Sequence, residues 1–182
     1  TYSSSSEIAG IERNFLMNGF DAYTVVLAPA NSDEYFSVFL SYGGPDESIA
    51  RRFFDAFGRR GIRSFFLPET AKFGLRLHRT MDSGVHEYDR IVLLCSKSSL
   101  ERSGVLNEIE RVLSRETSEG GSELLIPVAL DDFVFSGWEP AREDVARQIR
   151  DRVIADFRDA FDDPAAFRKQ LDRLVDSLKK TA

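Results

Sequence analysis

The chain has 182 residues, of which 42% are hydrophobic, 30% charged and 15 phenylalanine, the composition of a globular domain with an aromatic core and not of a disordered segment. A net charge of −6 argues against a phosphate-backbone binder, and one cysteine, Cys95, excludes a disulfide within the chain. No apolar run reaches the roughly 20 residues that span a bilayer and no signal peptide is visible, so a cytoplasmic protein with neither nucleic acid nor membrane as partner is expected.

In chain order, residues 1–34 are read as an N-terminal extension or linker, and 35–182 as the folded domain. The start, TYSSSSEIAG, lacks a Met, which suggests a piece of a longer protein with an upstream domain missing. YFSVFLS, Tyr35 to Ser41, reads as a strand. It stops at Tyr42-Gly43-Gly44-Pro45, and Pro45 suits the first turn of a helix. Ile49, Phe53 and Phe57 share one face of that helix, which Gly58 and Gly61 end. IRSFFL (62–67) is a second strand, PETAKFG (68–74) a loop, and Leu77, Met81 and Val85 mark a short helix. RIVLLC (90–95) is apolar nearly throughout, as expected of a parallel strand covered on both faces. A helix is predicted from Leu100 to Arg115. LLIPVAL (124–130) follows as a strand whose Pro127 suggests an edge or a bulge. VIADF (153–157) is a candidate fifth strand. Pro164 opens a last helix with Phe167, Leu171, Leu174 and Leu178 facing inward. This alternation predicts an α/β fold, a flavodoxin-like open parallel five-stranded sheet with helices on both faces.

Ligands of such sheets bind beyond the carboxyl ends of the strands, here the loops after Ser41, Leu67, Cys95 and Leu130. Several designs are absent: no GxxxxGK[ST], no GxGxxG after a strand, no CxxC. His78 and His86 have no companion ligands nearby, so no metal is expected.

VFLSYGGPDESIARRFFDAFGRRGIRSFF, then Gly74, YDRIVLLCSKSSLERSGVLNEIERVL and LLIPVALDD resemble the successive boxes of a TIR (Toll/interleukin-1 receptor) domain. The resemblance covers about Tyr35 to Lys180; FLSY and the S-x-x-S-L followed by a helix carrying E-I-E are its most specific parts. The tail from Arg150 to Lys179 resembles bacterial members. Enzymatic members cleave NAD at the nicotinamide–ribose bond with one glutamate on the helix after the third strand, and the matching position is Glu108. On a helix advancing about 100° per residue, Val105, Leu106, Ile109, Val112 and Leu113 form an apolar stripe, with Glu108 at its edge and Glu110, a weaker candidate, on the other flank.

The resemblance implies NAD as substrate, no cofactor and no metal. Ser41, Tyr42, Gly43 and Gly44 would form a substrate wall, the glycines letting backbone N–H groups approach phosphate. Ser96 and Gly74 belong to the same expected site. Gly104 stands where many enzymatic members carry Trp, Leu67 where they often carry Asp, and Lys72-Phe73-Gly74 where a Pro-Gly step is usual; Phe66 or Phe73 would supply the missing stacking face. The 68–74 loop would make contacts between subunits, clustered by the missing sensor. The implied function is a NAD glycohydrolase or cyclase of bacterial antiphage defence. The alternative is a non-catalytic assembly adaptor.

Overall fold

The computed structural model describes residues 34–66, 88–102 and 104–180. Five parallel strands, β1 (Val38–Ser41), β2 (Ser64–Phe65), β3 (Arg90–Cys95), β4 (Leu125–Ala129) and β5 (Ala155–Asp156), form one sheet in the order β2-β1-β3-β4-β5. The expected five-stranded parallel architecture is therefore present. Val38 registers with Arg90 and Ser41 with Leu93, so β1 and β3 start level and β3 runs two residues further. β2 and β5 are shorter than predicted, two residues each.

Strand periodicity sorts the side chains between two cores. Phe39, Ile91, Leu93 and Cys95 face α3 (Val105–Ser118) and α5 (Glu143–Arg150), which contribute Ile109, Val112, Val145 and Ile149. Val38, Leu40, Val92, Leu94 and Val128 face α1 (Glu47–Gly58) and α6 (Pro164–Asp176). The second core holds much of the phenylalanine: Phe53 meets Phe157 edge-on at 4.9 Å, with Phe161 and Phe167 alongside. Full burial of one such ring stabilises by about 1.5–3 kcal/mol.

Two expectations change. The helix predicted from Leu100 to Arg115 is two helices, α2 (Lys97–Leu100) and α3, because Gly104 is left-handed at φ +91° and breaks the ladder. Pro127 lies in β4, an interior strand, and at no edge. The Leu130 N–H donates to the Cys95 carbonyl, so by the two-residue alternation Pro127 turns away from β3. On that side β5 pairs only from Val128 onward, and the missing N–H leaves no ladder bond unmade. The short α4 (Phe133–Ser136) and α5 carried no periodic signal long enough to predict. The entering chain is pinned to the end of α6: Phe36 N–H donates to the Leu178 carbonyl and Lys180 N–H to that of Glu34. Residues 1–33, and with them most of the expected extension, lie outside the described residues, as do the 68–74 loop and the helix expected around Leu77 to Val85.

Candidate functional site

The parity of β1 decides which residue of the Ser41-Tyr42 pair meets α3. Ser41 points to the same side as Phe39, and its Oγ donates to Glu108 Oε2 at 3.2 Å. Tyr42 points to the other side, joins the α1 core and stacks on Phe66 at 5.5 Å between centroids. Burial pushes its hydroxyl up to about 12. Phe66 is itself wholly enclosed, at 0% exposure, and Phe54 lies on it as well. Phe66, expected to offer a face to a base, thus packs against Tyr42 and Phe54, with the Arg51 guanidinium over its ring.

The turn after β1 is fixed by contacts within the protein. A Cβ at Gly43 would lie 2.9 Å from Ser99 Cα and 3.0 Å from the Ser98 carbonyl oxygen, so the approach of the α2 backbone demands a glycine here. Gly44 opens a 3-10 turn, Gly44–Asp46, and a Cβ there would meet nothing within 4 Å. Asp46, absent from the expected site, joins the two loops: its Oδ2 accepts from Ser96 Oγ at 2.5 Å and Ser98 Oγ at 2.9 Å. Ser96 Oγ in turn accepts from the Ser99 N–H, capping α2. Ser96, expected at the substrate site, is only 5% exposed, and its hydroxyl bonds to Asp46, Ser98 and the Ser99 N–H. Asp131 ties in the β4 loop, accepting from the Lys97 and Phe133 backbone N–H groups.

Glu108 lies in the first turn of α3, directly after the break at Gly104. Only 18% of its side chain is exposed. Beneath it a hollow of about 10 Å³, walled by Phe39, Ile91, Leu93, Ile109, Val112 and Leu125, has room for one water. Arg102 Nη2 donates to the same Oε2 at 2.8 Å. Burial raises the carboxyl's pKa above its ordinary value; the Arg102 charge and the hydrogen bonds from Ser41 and Arg102 pull it back without cancelling that rise. Glu110 is engaged elsewhere, with Arg142 at 2.9 Å on the outward flank of the helix. Gly104 borders a separate hollow of about 440 Å³ lined by Leu100, Arg102, Phe133 and Trp138 among others. Its left-handed backbone resists any ordinary side chain, Trp included.

The structure thus brings Ser41, Arg102 and Glu108 together. It leaves Tyr42, Gly43, Phe66 and Ser96 in supporting contacts. Phe73, Gly74, Lys72 and Leu67 lie outside the described residues. Arg102 escapes sequence reading because it precedes Glu108 by six residues across a turn, a spacing that no helical register pairs. Cys95 is fully buried and its thiol is pushed up to about 12, which removes it as a nucleophile. Among the described residues no group of three or more His, Cys, Asp or Glu could hold a metal ion.

The TIR domain family model matches residues 38–174. No curated protein matches this sequence. Solved structures share its fold, among them the following three. The TIR domains of the activated Roq1 resistosome directly recognizing the pathogen effector XopQ are 17% identical, with TM-score 0.60, over 78% of this chain and 98% of that one. The TIR domain of the Toll-related receptor TRR-2 from Hydra magnipapillata is 15% identical, with TM-score 0.54 and the same coverage. A TIR-STING receptor from C. gigas, in complex with 2',3'-cGAMP, is 19% identical, with TM-score 0.52, over 75% of this chain but 39% of that longer chain. No helix among the described residues is long and apolar enough to cross a membrane.

Proposed function

The chain belongs to the TIR domain family, and from that premise we propose that it is a NAD glycohydrolase with Glu108 as its catalytic carboxylate. One observation carries this reading: a glutamate, mostly withdrawn from water, is held by Ser41 from β1 and by Arg102 at the carboxyl end of the sheet, where ligands of such folds bind. Burying a carboxylate costs stability, and the bonds from Ser41 and Arg102 offset that cost only in part.

The chemistry asks for little besides that carboxylate. The nicotinamide of NAD carries a positive charge, so it departs with the electron pair of its bond to ribose and leaves as a neutral base, without a proton donor. The ribose left behind develops oxocarbenium character, and a fixed anion beside it lowers the barrier. Water then adds at the sugar carbon and releases its proton, giving ADP-ribose; attack by an adenine nitrogen in place of water would give a cyclic product. The hollow beneath Glu108 is too small for a nucleotide. The ribose therefore approaches the exposed outer side of the carboxylate.

The proposed setting is bacterial antiphage defence in the cytoplasm, with activity switched on when a sensor domain clusters the chains through TIR–TIR contacts that include residues 68–74. Self-association is supported by one fold neighbour, the Roq1 resistosome, whose TIR domains sit in an assembly. Gly104 favours the alternative, a non-catalytic adaptor, because it supplies no aromatic face. Clustered chains incubated with NAD separate the two: an enzyme releases nicotinamide and an adaptor only self-associates.

A further inference from the structure

The contact between Arg102 and Glu108 closes no gap in the core and finishes no helix. Arg102 sits in the turn between α2 and α3, with its N–H bonded to the Ser99 carbonyl and its own carbonyl accepting from Val105. It sends one guanidinium N–H to Glu108 Oε2 at 2.8 Å, while its Nε is enclosed without an acceptor. The two bonds Glu108 receives are also lopsided. Ser41 Oγ and Arg102 Nη2 both reach Oε2, from β1 and from the α2–α3 turn. Among the described residues no donor reaches Oε1.

We propose that Arg102 is a positioning residue: with Ser41 it clamps Oε2 of Glu108 and so presents Oε1 to the ligand. This rests on the reading of Glu108 as the catalytic carboxylate. The clamp does two things. It fixes the rotation of a side chain that would otherwise have several rotamers, and it keeps an anion in a pocket that disfavours anions. The groups facing Glu108 support the second role. The strand and helix walls beneath it are apolar, Ser41 is uncharged, and Arg111 on α3 itself adds a second favourable charge. Arg102 is the one cation in hydrogen-bond contact among the described residues.

The test uses Arg102→Gln and Arg102→Lys in the whole chain, with thermal melting to establish that both fold. Carbon-13 NMR follows the Glu108 carboxyl through a pH titration, its signal identified by its loss in Glu108→Gln. In Arg102→Gln the midpoint moves to higher pH, and Arg102→Lys restores part of the movement. In the nicotinamide-release assay kcat falls on the order of 100-fold with KM little changed, the acid limb of kcat/KM shifts upward with the NMR midpoint, and Lys again rescues in part. An unmoved Glu108 titration in Arg102→Gln overturns the proposal, as does an unchanged kcat. If the wild-type chain releases no nicotinamide, the NAD reading falls, while the titration still decides whether Arg102 governs the carboxylate.

Discussion

Ser41 Oγ lies 3.2 Å from Glu108 Oε2, although 67 residues separate them. The contact joins the last residue of β1 to the first turn of α3 and spans the carboxyl end of the sheet at the boundary between β1 and β3. Replacing Ser41 by Ala removes a hydrogen bond to a charged acceptor while leaving Phe39 and the strand intact. Nicotinamide release should then fall by about 10-fold, the equivalent of a charged hydrogen bond worth ~1.5 kcal/mol. A steady-state comparison of kcat/KM with the wild type checks this, and unchanged activity would remove Ser41 from the site.

The buried carboxylate also makes a statement about stability. Burial raises the folded-state pKa of Glu108 above its unfolded value. The folded chain therefore holds this proton more tightly than the unfolded chain does. The protonated form contributes stability that is fully present below the unfolded pKa and is lost as pH rises through the folded pKa. Glu108→Gln, a neutral mimic of the acid, should accordingly melt at a higher temperature than the wild type near pH 7, with the two curves converging under acidic conditions. Calorimetry at two pH values measures it. A variant less stable at neutral pH would show that the anion is stabilised by its surroundings.

Gly43 and Asp46 hold the β1 loop against α2. Gly43→Ala drives a methyl to 2.9 Å from backbone atoms that no rotamer can move, and should destabilise by about 1–3 kcal/mol. Asp46→Ala strips the acceptor shared by Ser96 and Ser98, which then keep only their mutual contact at 2.8 Å, and should cost about 1–3 kcal/mol. Denaturant midpoints read both effects.

Far from the loops, Glu116 accepts from the Leu124 and Leu125 N–H groups and from Arg152. It is 7% exposed. Glu116→Ala would leave the Arg152 charge without its carboxylate, with only the Leu125 and Gln148 carbonyls as acceptors, and would strand two backbone donors, and should cost about 3–5 kcal/mol. Because this cluster lies at the opposite end of β4 from the β4–α4 loop, the folded fraction should keep its wild-type kcat.

RIVLLC is apolar at five of six positions because β3 is covered on both sides, and its bounds were legible from that run alone. The amphipathic faces of α1 and α6 were legible for the same reason: periodicity records what is buried. Strand parity was also present in FLSY, since residues two apart share a face, and it separates Ser41 from Tyr42 before any coordinates. Phe66 misled because an aromatic ring near a cleft and one in a core look alike in sequence. The split at Gly104 and the Arg102 contact were not legible. Both depend on one left-handed residue in a turn, and a turn carries no period from which a partner can be counted. Asp46 left a trace only as an acidic residue just before a helix.

The most direct test of the account is nicotinamide release from NAD by clustered chains, wild type beside Glu108→Gln, with melting curves establishing that both are folded. Turnover by the wild type and a loss of at least about 100-fold in the folded variant are expected. Equal rates in the two proteins, or no release by wild-type chains under clustering, would contradict it.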